Sequence, residues 1–258
     1  DNLFNRASLG VYELGSIIKG LVLSVGFDTG QITLSDLYDL DNNVLAAGKK
    51  DYHKRTGWNS VAEIFMHSSN IGLGQIALEV GKNNIKDYWE ALGLFSTLQI
   101  ETAERAAPIY LPYKKWRDLN LITMSFGYNL AISPLHFVQA MIPVVNGGYY
   151  YPLTLLKRAS VSPVKARQIF NTETSVIMNK LLRLNVSQGT GKKANVAGQL
   201  VGGKTGTAEK LIDRHYSKNH RYSSFVASFP SISPKYIVFV MLDDPKGTKE
   251  TFGFATAG

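Results

Sequence analysis

Three short stretches hold residue types that could carry out acyl transfer. "LGSIIKG", residues 14–20, sets Ser16 and Lys19 three positions apart among isoleucines. On a helix such a pair shares one face, close enough for an amine and a hydroxyl to exchange a proton. A serine hydroxyl is a weak nucleophile until a base removes that proton. Lysine can be the base only when burial or a second cation lowers its pKa, and Ile17, Ile18 and Leu21 supply apolar surroundings. A place near a helix N-terminus also favours developing negative charge. Read alone, the stretch is better explained as a helix cap followed by an exposed lysine.

The second stretch, "HSSN", puts Ser68 and Asn70 where one helical pattern ends and another begins. Capping explains serine or asparagine at such a junction. The chemical alternative is a hydroxyl and an amide presented to a cleft. The third stretch, "GGKTGT", spans residues 202–207 and includes Lys204, Thr205, Gly206 and Thr207. Its glycines let another segment approach the backbone closely. A lysine and two threonines on such a strand could hold a carboxylate, and a backbone N–H there could serve an oxyanion hole. A strand is expected here and not a phosphate-binding loop.

These stretches need elements to carry them. Ile18, Leu21, Val22 and Val25 recur at helical spacing, so an amphipathic helix is expected from Gly15 to about Val25. Residues 31–57 are polar and turn-rich. Short helices are expected over Val61–Met66, over Ile71–Val80 and through "IKDYWEALG", followed by an irregular stretch from Leu94 to Trp116. Ser133 with Pro134 behind it marks a strong helix start, and "NGG" marks its end. One more helix covers residues 172–184. The period then changes to two: "GQLVGGKTGTAEK", "RYSSFVASFP" and "KYIVFVMLDD" read as strands, the last two joined by "SISP". Helices followed by a run of strands imply an α+β fold with an antiparallel sheet.

Composition narrows the chemistry. The chain has 258 residues, 45% of them hydrophobic and 19% charged, as in ordinary globular domains. No apolar run approaches the roughly 18 residues that span a bilayer. Cysteine is absent, which excludes thiolate nucleophiles and thiolate metal sites. The net charge is +8, but the basic groups "GKKDYHKR", "PYKKWRD" and "SKNHR" lie in loop-like segments without interleaved aromatics. They read as solvated loops, not as a nucleic-acid surface. His53, His67, His136, His215 and His220 have no metal-ligand spacing. No G-x-S-x-G elbow is present, which argues against a Ser-His-Asp hydrolase.

The order S-x-x-K, S-x-N, K-T-G is the signature of penicillin-binding proteins and related β-lactamases. With the blocks "YELGSIIKG", "HSSNIGLGQIA", "SFGYNLAISPLHFVQA" and "GGKTGTAEK" in that order, the chain resembles the transpeptidase domain of class B penicillin-binding proteins, nearest the division-specific septal D,D-transpeptidases. The resemblance covers essentially the whole chain. It implies a penicillin-binding/serine β-lactamase-like fold in a single domain, with residues 1–30 and 150–258 forming an α/β part and 31–149 a mostly helical part.

It also implies roles. Ser16 would be the acylated nucleophile, with Lys19 as its base. Ser68 and Asn70 would assist proton transfer and grip the donor peptide. Lys204, Thr205, Gly206 and Thr207 would form the substrate-binding strand. The backbone N–H groups of Ser16 and Thr207 would make the oxyanion hole. The implied partners are peptidoglycan stem peptides, β-lactam antibiotics and other cell-division proteins, at the periplasmic face of the inner membrane, with no metal or organic cofactor. In the family two sheet strands precede the serine helix, a closing helix follows the last strand, and a membrane anchor lies upstream. The chain therefore reads as a fragment keeping three sheet strands.

Three rival readings share the fold. A serine β-lactamase needs a residue to hold a deacylating water. Glu101 and Glu104 are the acids of "ETAERAAPIYLPYKKW", but no Glu-x-x-x-Asn arrangement occurs in that stretch. A D,D-carboxypeptidase would use the same acylation and differ only in its acceptor. A catalytically silent division scaffold would have no need of intact motifs.

Overall fold

The computed structural model describes residues 4–41, 51, 55–157 and 166–247. His53 and most of "GKKDYHKR" lie outside the described residues. The helices are α1 (Lys19–Asp28), α2 (Val61–Met66), α3 (Asn70–Val80), α4 (Lys82–Ala91), α5 (Asp118–Ser125), α6 (Pro134–Val145) and α7 (Thr172–Gln188). Among the described residues seven short strands are interleaved with them: β1 (Tyr12–Glu13), β2 (Leu37–Asp39), β3 (Trp58–Ser60), β4 (Ile109–Tyr110), β5 (Leu130–Ile132), β6 (Tyr149–Tyr150) and β7 (Arg167–Gln168). Three long strands follow, β8 (Gly202–Ile212), β9 (His215–Phe229) and β10 (Tyr236–Asp243). They form one antiparallel sheet in the order β10-β9-β8.

Local signals account for most boundaries. Ser60 and Glu63 form a capping box that starts α2. Ser133 caps α6 and Pro134 occupies its first turn. The stretch "LNLITMSFGYNLAIS", to which pattern alone assigns no element, contains α5, a turn at Gly127 and strand β5. β5 pairs with β1, which tethers the segment just before Ser16. α7 runs one turn longer than its pattern, because Asn185 and Val186 are buried and continue its packed face.

One expectation is corrected. α1 is not amphipathic: every residue from Lys19 to Gly26 is buried. It is the central helix, packed by α3, α4, α6 and α7, and a helix apolar all round belongs in such a place. Gly26 permits this crowding, since a Cβ there would stand 2.7 Å from Ile32 and 2.9 Å from Val80. Within α1, Ser24 hides its hydroxyl by donating to the Gly20 carbonyl at 2.7 Å.

The sheet packs its inner face on the helices. Ile237, Phe239 and Met241 turn inward, and Phe239 meets Phe137 of α6 at a centroid distance of 5.9 Å. The alternate residues Tyr236, Val238, Val240 and Leu242 are exposed along the edge strand β10. Among the described residues no helix is long and apolar enough to cross a membrane.

Because α1 sets the position of everything around it, its core side chains should be unforgiving. Leu21 is fully buried, and Leu21→Ala is expected to lower the unfolding free energy by about 2–5 kcal/mol in urea denaturation. A loss below about 1 kcal/mol would contradict a rigid central helix.

Candidate active site

The three motifs, far apart in sequence, meet at the N-terminal end of α1. Ser16 is half-buried in a single 3-10 turn, Gly15–Ile18, that runs directly into α1. Gly15 has φ +60°, and a Cβ on it would lie 2.4 Å from the Thr207 carbonyl oxygen. Gly127, at φ +91°, closes on the same turn, where a Cβ would meet the Gly15 carbonyl at 2.2 Å. A Cβ on Gly206 would stand 2.8 Å from the Leu14 carbonyl. Glycine at these points lets the serine turn and β8 touch backbone to backbone.

Lys19, the first residue of α1, is 0% exposed. Its Nζ donates to the Ser68 carbonyl at 2.6 Å, to Ser68 Oγ at 3.2 Å and to Asn70 Oδ1 at 2.7 Å. Lys204, on β8, is 1% exposed and donates to the same Ser68 Oγ at 2.9 Å and to the Thr205 carbonyl at 3.1 Å. One serine hydroxyl thus stands between two buried amines. A hydroxyl has two lone pairs and one proton, so Ser68 can accept from both lysines and still donate.

The local backbone arranges this. Ser68 has φ 58°, a left-handed conformation that costs a non-glycine residue roughly 1–3 kcal/mol. That conformation accompanies a carbonyl and a hydroxyl of one residue both accepting from Lys19 Nζ. Capping and cleft-facing duties are divided within "SSN". Ser69 is the cap of α3, accepting from Gly72 N at 3.0 Å, and Ser68 and Asn70 on either side turn to Lys19.

Electrostatics follow from burial. Loss of hydration pushes Lys19 well below the ordinary lysine range, the positive charge of Lys204 pushes further, and the Asp51 carboxylate pulls the other way. Burial lowers Lys204 to about 7. Two amines sharing one hydroxyl in a dry site disfavour a second ammonium, so a neutral amine is available here near neutral pH.

Two participants are not evident from sequence. Asp51 belongs to "GKKDYHKR", which has the pattern of a solvated loop, yet its carboxylate accepts from Ser69 Oγ at 2.6 Å, Asn70 N at 2.5 Å and Ile71 N at 3.1 Å. A carboxylate at a helix N-terminus is favoured there, but the helix lies too far along the chain for charge patterning to link them. Thr190 is the second, with Oγ1 2.7 Å from Thr205 Oγ1. Its glycine-flanked setting, "GTG", is the available signal. The letters Gly198–Thr205, "GQLVGGKT", also fit the phosphate-loop spacing G-x-x-x-x-G-K-T, but such a loop must open a helix. Lys204 and Thr205 are paired instead inside β8, opposite Val226 and Phe225.

Glu101, Glu104 and His136 serve different contacts. Glu101 accepts from Thr154 Oγ1 and, at 2.9 Å, from Leu155 N. Glu104 contributes its backbone carbonyl to Ser8 Oγ. His136 is buried between Ser133 Oγ at 2.7 Å and the Ser96 carbonyl at 3.0 Å, a core role.

Residues 1–257 match the family described as penicillin binding protein transpeptidase domain. The probable peptidoglycan D,D-transpeptidase FtsI of Caulobacter vibrioides is 38% identical over 269 residues, covering 100% of this chain and 45% of the relative. Stage V sporulation protein D of Bacillus subtilis is 29% identical, covering 95% of this chain and 40% of the relative. The chain therefore spans a little under half the length of these curated relatives. The transpeptidase domain of Burkholderia pseudomallei penicillin-binding protein 3 superposes with a TM-score of 0.88 at 30% identity, over 93% of this chain and 74% of that one. Its fold is the α+β arrangement described above. With a family match from the first residue almost to the last, and that fold beneath it, the chain belongs to the penicillin-binding protein transpeptidase family.

Proposed function

We propose that the chain is the catalytic part of a septal peptidoglycan D,D-transpeptidase, with Ser16 as nucleophile and Lys19 as its base. The observation that carries this reading is the buried Lys19 amine, held by Ser68 and Asn70 one helical turn beyond Ser16. Ser16 Oγ attacks the carbonyl carbon of the penultimate D-Ala while Lys19 Nζ takes its proton. Charge on the tetrahedral oxygen is met by the N–H groups of Ser16 and Thr207, and the backbone contact between Gly15 and Thr207 supports their adjacency.

The C–N bond then breaks, and the terminal D-Ala leaves as an amine after receiving a proton. Ser68, accepting from both Lys19 and Lys204, is the relay for that proton. Lys204, Thr205 and Thr207 hold the terminal carboxylate. In the second half an acceptor amine from a neighbouring stem peptide attacks the Ser16 ester. The new amide forms, the C–O bond breaks, and the amine's proton returns through Lys19 to Ser16 Oγ. The relatives' names and the family description support peptidoglycan as substrate and penicillins as acylating ligands, and the septal reading adds division proteins as partners and a periplasmic place of work.

A fluorescent penicillin incubated with the full chain should leave one covalent adduct, on Ser16 by peptide mass spectrometry, and Ser16→Ala should leave none. An adduct elsewhere, or persistent labelling of Ser16→Ala, would sink the assignment.

The pH dependence follows in sign from the lowered amines. Acylation needs neutral Lys19, so its rate should fall as pH drops through the lowered pKa and be level on the alkaline side. A lysine at its ordinary value of about 10.4 would instead give a rate climbing about tenfold per pH unit up to pH 10. Stopped-flow acylation between pH 5 and 10 distinguishes the two.

A further inference from the structure

Asn185 lies in the last turn of α7 and is fully buried. It belongs to none of the three motifs, yet both ends of its amide are bonded to their surroundings. Its Nδ2 donates to the Gly203 carbonyl of β8 at 2.8 Å. Its Oδ1 accepts from Thr190 N at 3.3 Å and from Thr190 Oγ1 at 3.1 Å. The loop after α7 is moulded around it. Gly189 N and Gly191 N donate to the Asn185 carbonyl at 2.9 and 3.2 Å. A Cβ on Gly189 would stand 2.5 Å from Asn185 Oδ1 and 2.5 Å from the Met66 carbonyl. Thr190 N also donates to Met66 O at 3.2 Å, tying the same loop to the end of α2, two residues before Ser68.

The chain of hydroxyls has a direction. Thr190 Oγ1 has one proton, and it is committed to Asn185 Oδ1. Across the 2.7 Å contact, Thr205 Oγ1 is therefore the donor and Thr190 Oγ1 the acceptor. Thr205 is thereby held beside a neighbour that Asn185 Oδ1 binds twice, through its backbone N–H and its hydroxyl. With an anion in reach the order reverses: Asn185 Oδ1 keeps Thr190 N, the Thr190 Oγ1 proton turns to Thr205 Oγ1 across the 2.7 Å contact, and the Thr205 proton is released to the anion. Only O–H bonds turn and the oxygens stay in place, so the donor is offered to charge with little reorganisation.

We infer that Asn185 is a positioning residue: through Thr190 it fixes the Thr205 hydroxyl for the carboxylate of the acyl donor, and through Gly203 it fixes the register of the strand that carries it. The inference rests on the proposed reading that Thr205 lines the carboxylate side of the cleft.

The test compares acylation of Ser16 in the full chain by benzylpenicillin and by its methyl ester, which has the same ring but no anionic carboxylate. The variants are Asn185→Ala, Thr190→Val, which keeps shape without the hydroxyl, and Thr190→Ser, which restores the hydroxyl. With thermal midpoints checked, Thr190→Val and Asn185→Ala should slow acylation by the acid about tenfold, the worth of a hydrogen bond to a charged group. The ester's rate should stay at the wild-type value, and Thr190→Ser should recover the preference for the acid. A purely structural role would slow both compounds alike, and that result overturns the inference. So does a Thr190→Val enzyme with unchanged preference. If Asn185→Ala does not fold, the Thr190 pair decides. Failure of benzylpenicillin to acylate the wild type would overturn the transferase reading and this inference with it, whereas a reactive wild type with indifferent variants overturns this inference alone.

Discussion

Two lysine amines buried around a single serine hydroxyl are the constraint on which the rest of the structure depends. Burying a charged amine without compensation is costly, so the protein holds each one by hydrogen bonds and lowers its affinity for a proton. That cost is met by the elements around it. Lys19 is sealed by its place on the central helix. Lys204 is sealed by the sheet, with its amine 5.8 Å from the Phe65 ring centroid. Ser68 accepts a left-handed backbone to stand between them. A structure optimised only for stability would have put apolar side chains in both positions.

The second constraint is distance between backbones. The serine turn, the turn at Gly127 and strand β8 approach more closely than any side chain permits, and Gly15, Gly127 and Gly206 are the points where they touch. Two of the three have positive φ, so glycine is required there twice over, for conformation and for space. Around this contact a further tier holds the strand. Glu13, in β1, accepts from Asn129 N at 2.6 Å and from Tyr216 OH at 3.0 Å, linking the serine segment to the β5 entry and to β9. On the far side Asn185 and Thr190 tie the same sheet to α7 and α2. β8 is thus an edge strand of its sheet gripped from two sides.

Legibility depends on the range of the interaction. Ser133 with Pro134 and the alternation of β8 to β10 are readable because each is decided within a few residues. α1 has the pattern of an amphipathic helix because its apolar positions repeat at helical spacing whichever way the helix is covered, and only its neighbours make it central. Asp51 stays hidden for a related reason. A carboxylate among lysines has the pattern of a solvated loop until the N-terminus of α3 is seen to receive it.

Residue types and short spacings are enough to specify the chemistry on offer: a serine and a lysine one helical turn apart, a second serine with an asparagine, and a lysine-threonine strand between glycines, on an α+β framework. Local rules govern all of these. Packing in three dimensions is what turns Lys19 to Ser68 and Asn70, gives Lys204 the same hydroxyl, and stands Asn185 behind Thr205. Each of these joins residues remote in sequence, 136 positions apart for Lys204 and Ser68. Such contacts exist only once the core has closed and removed the water that would otherwise keep both amines charged.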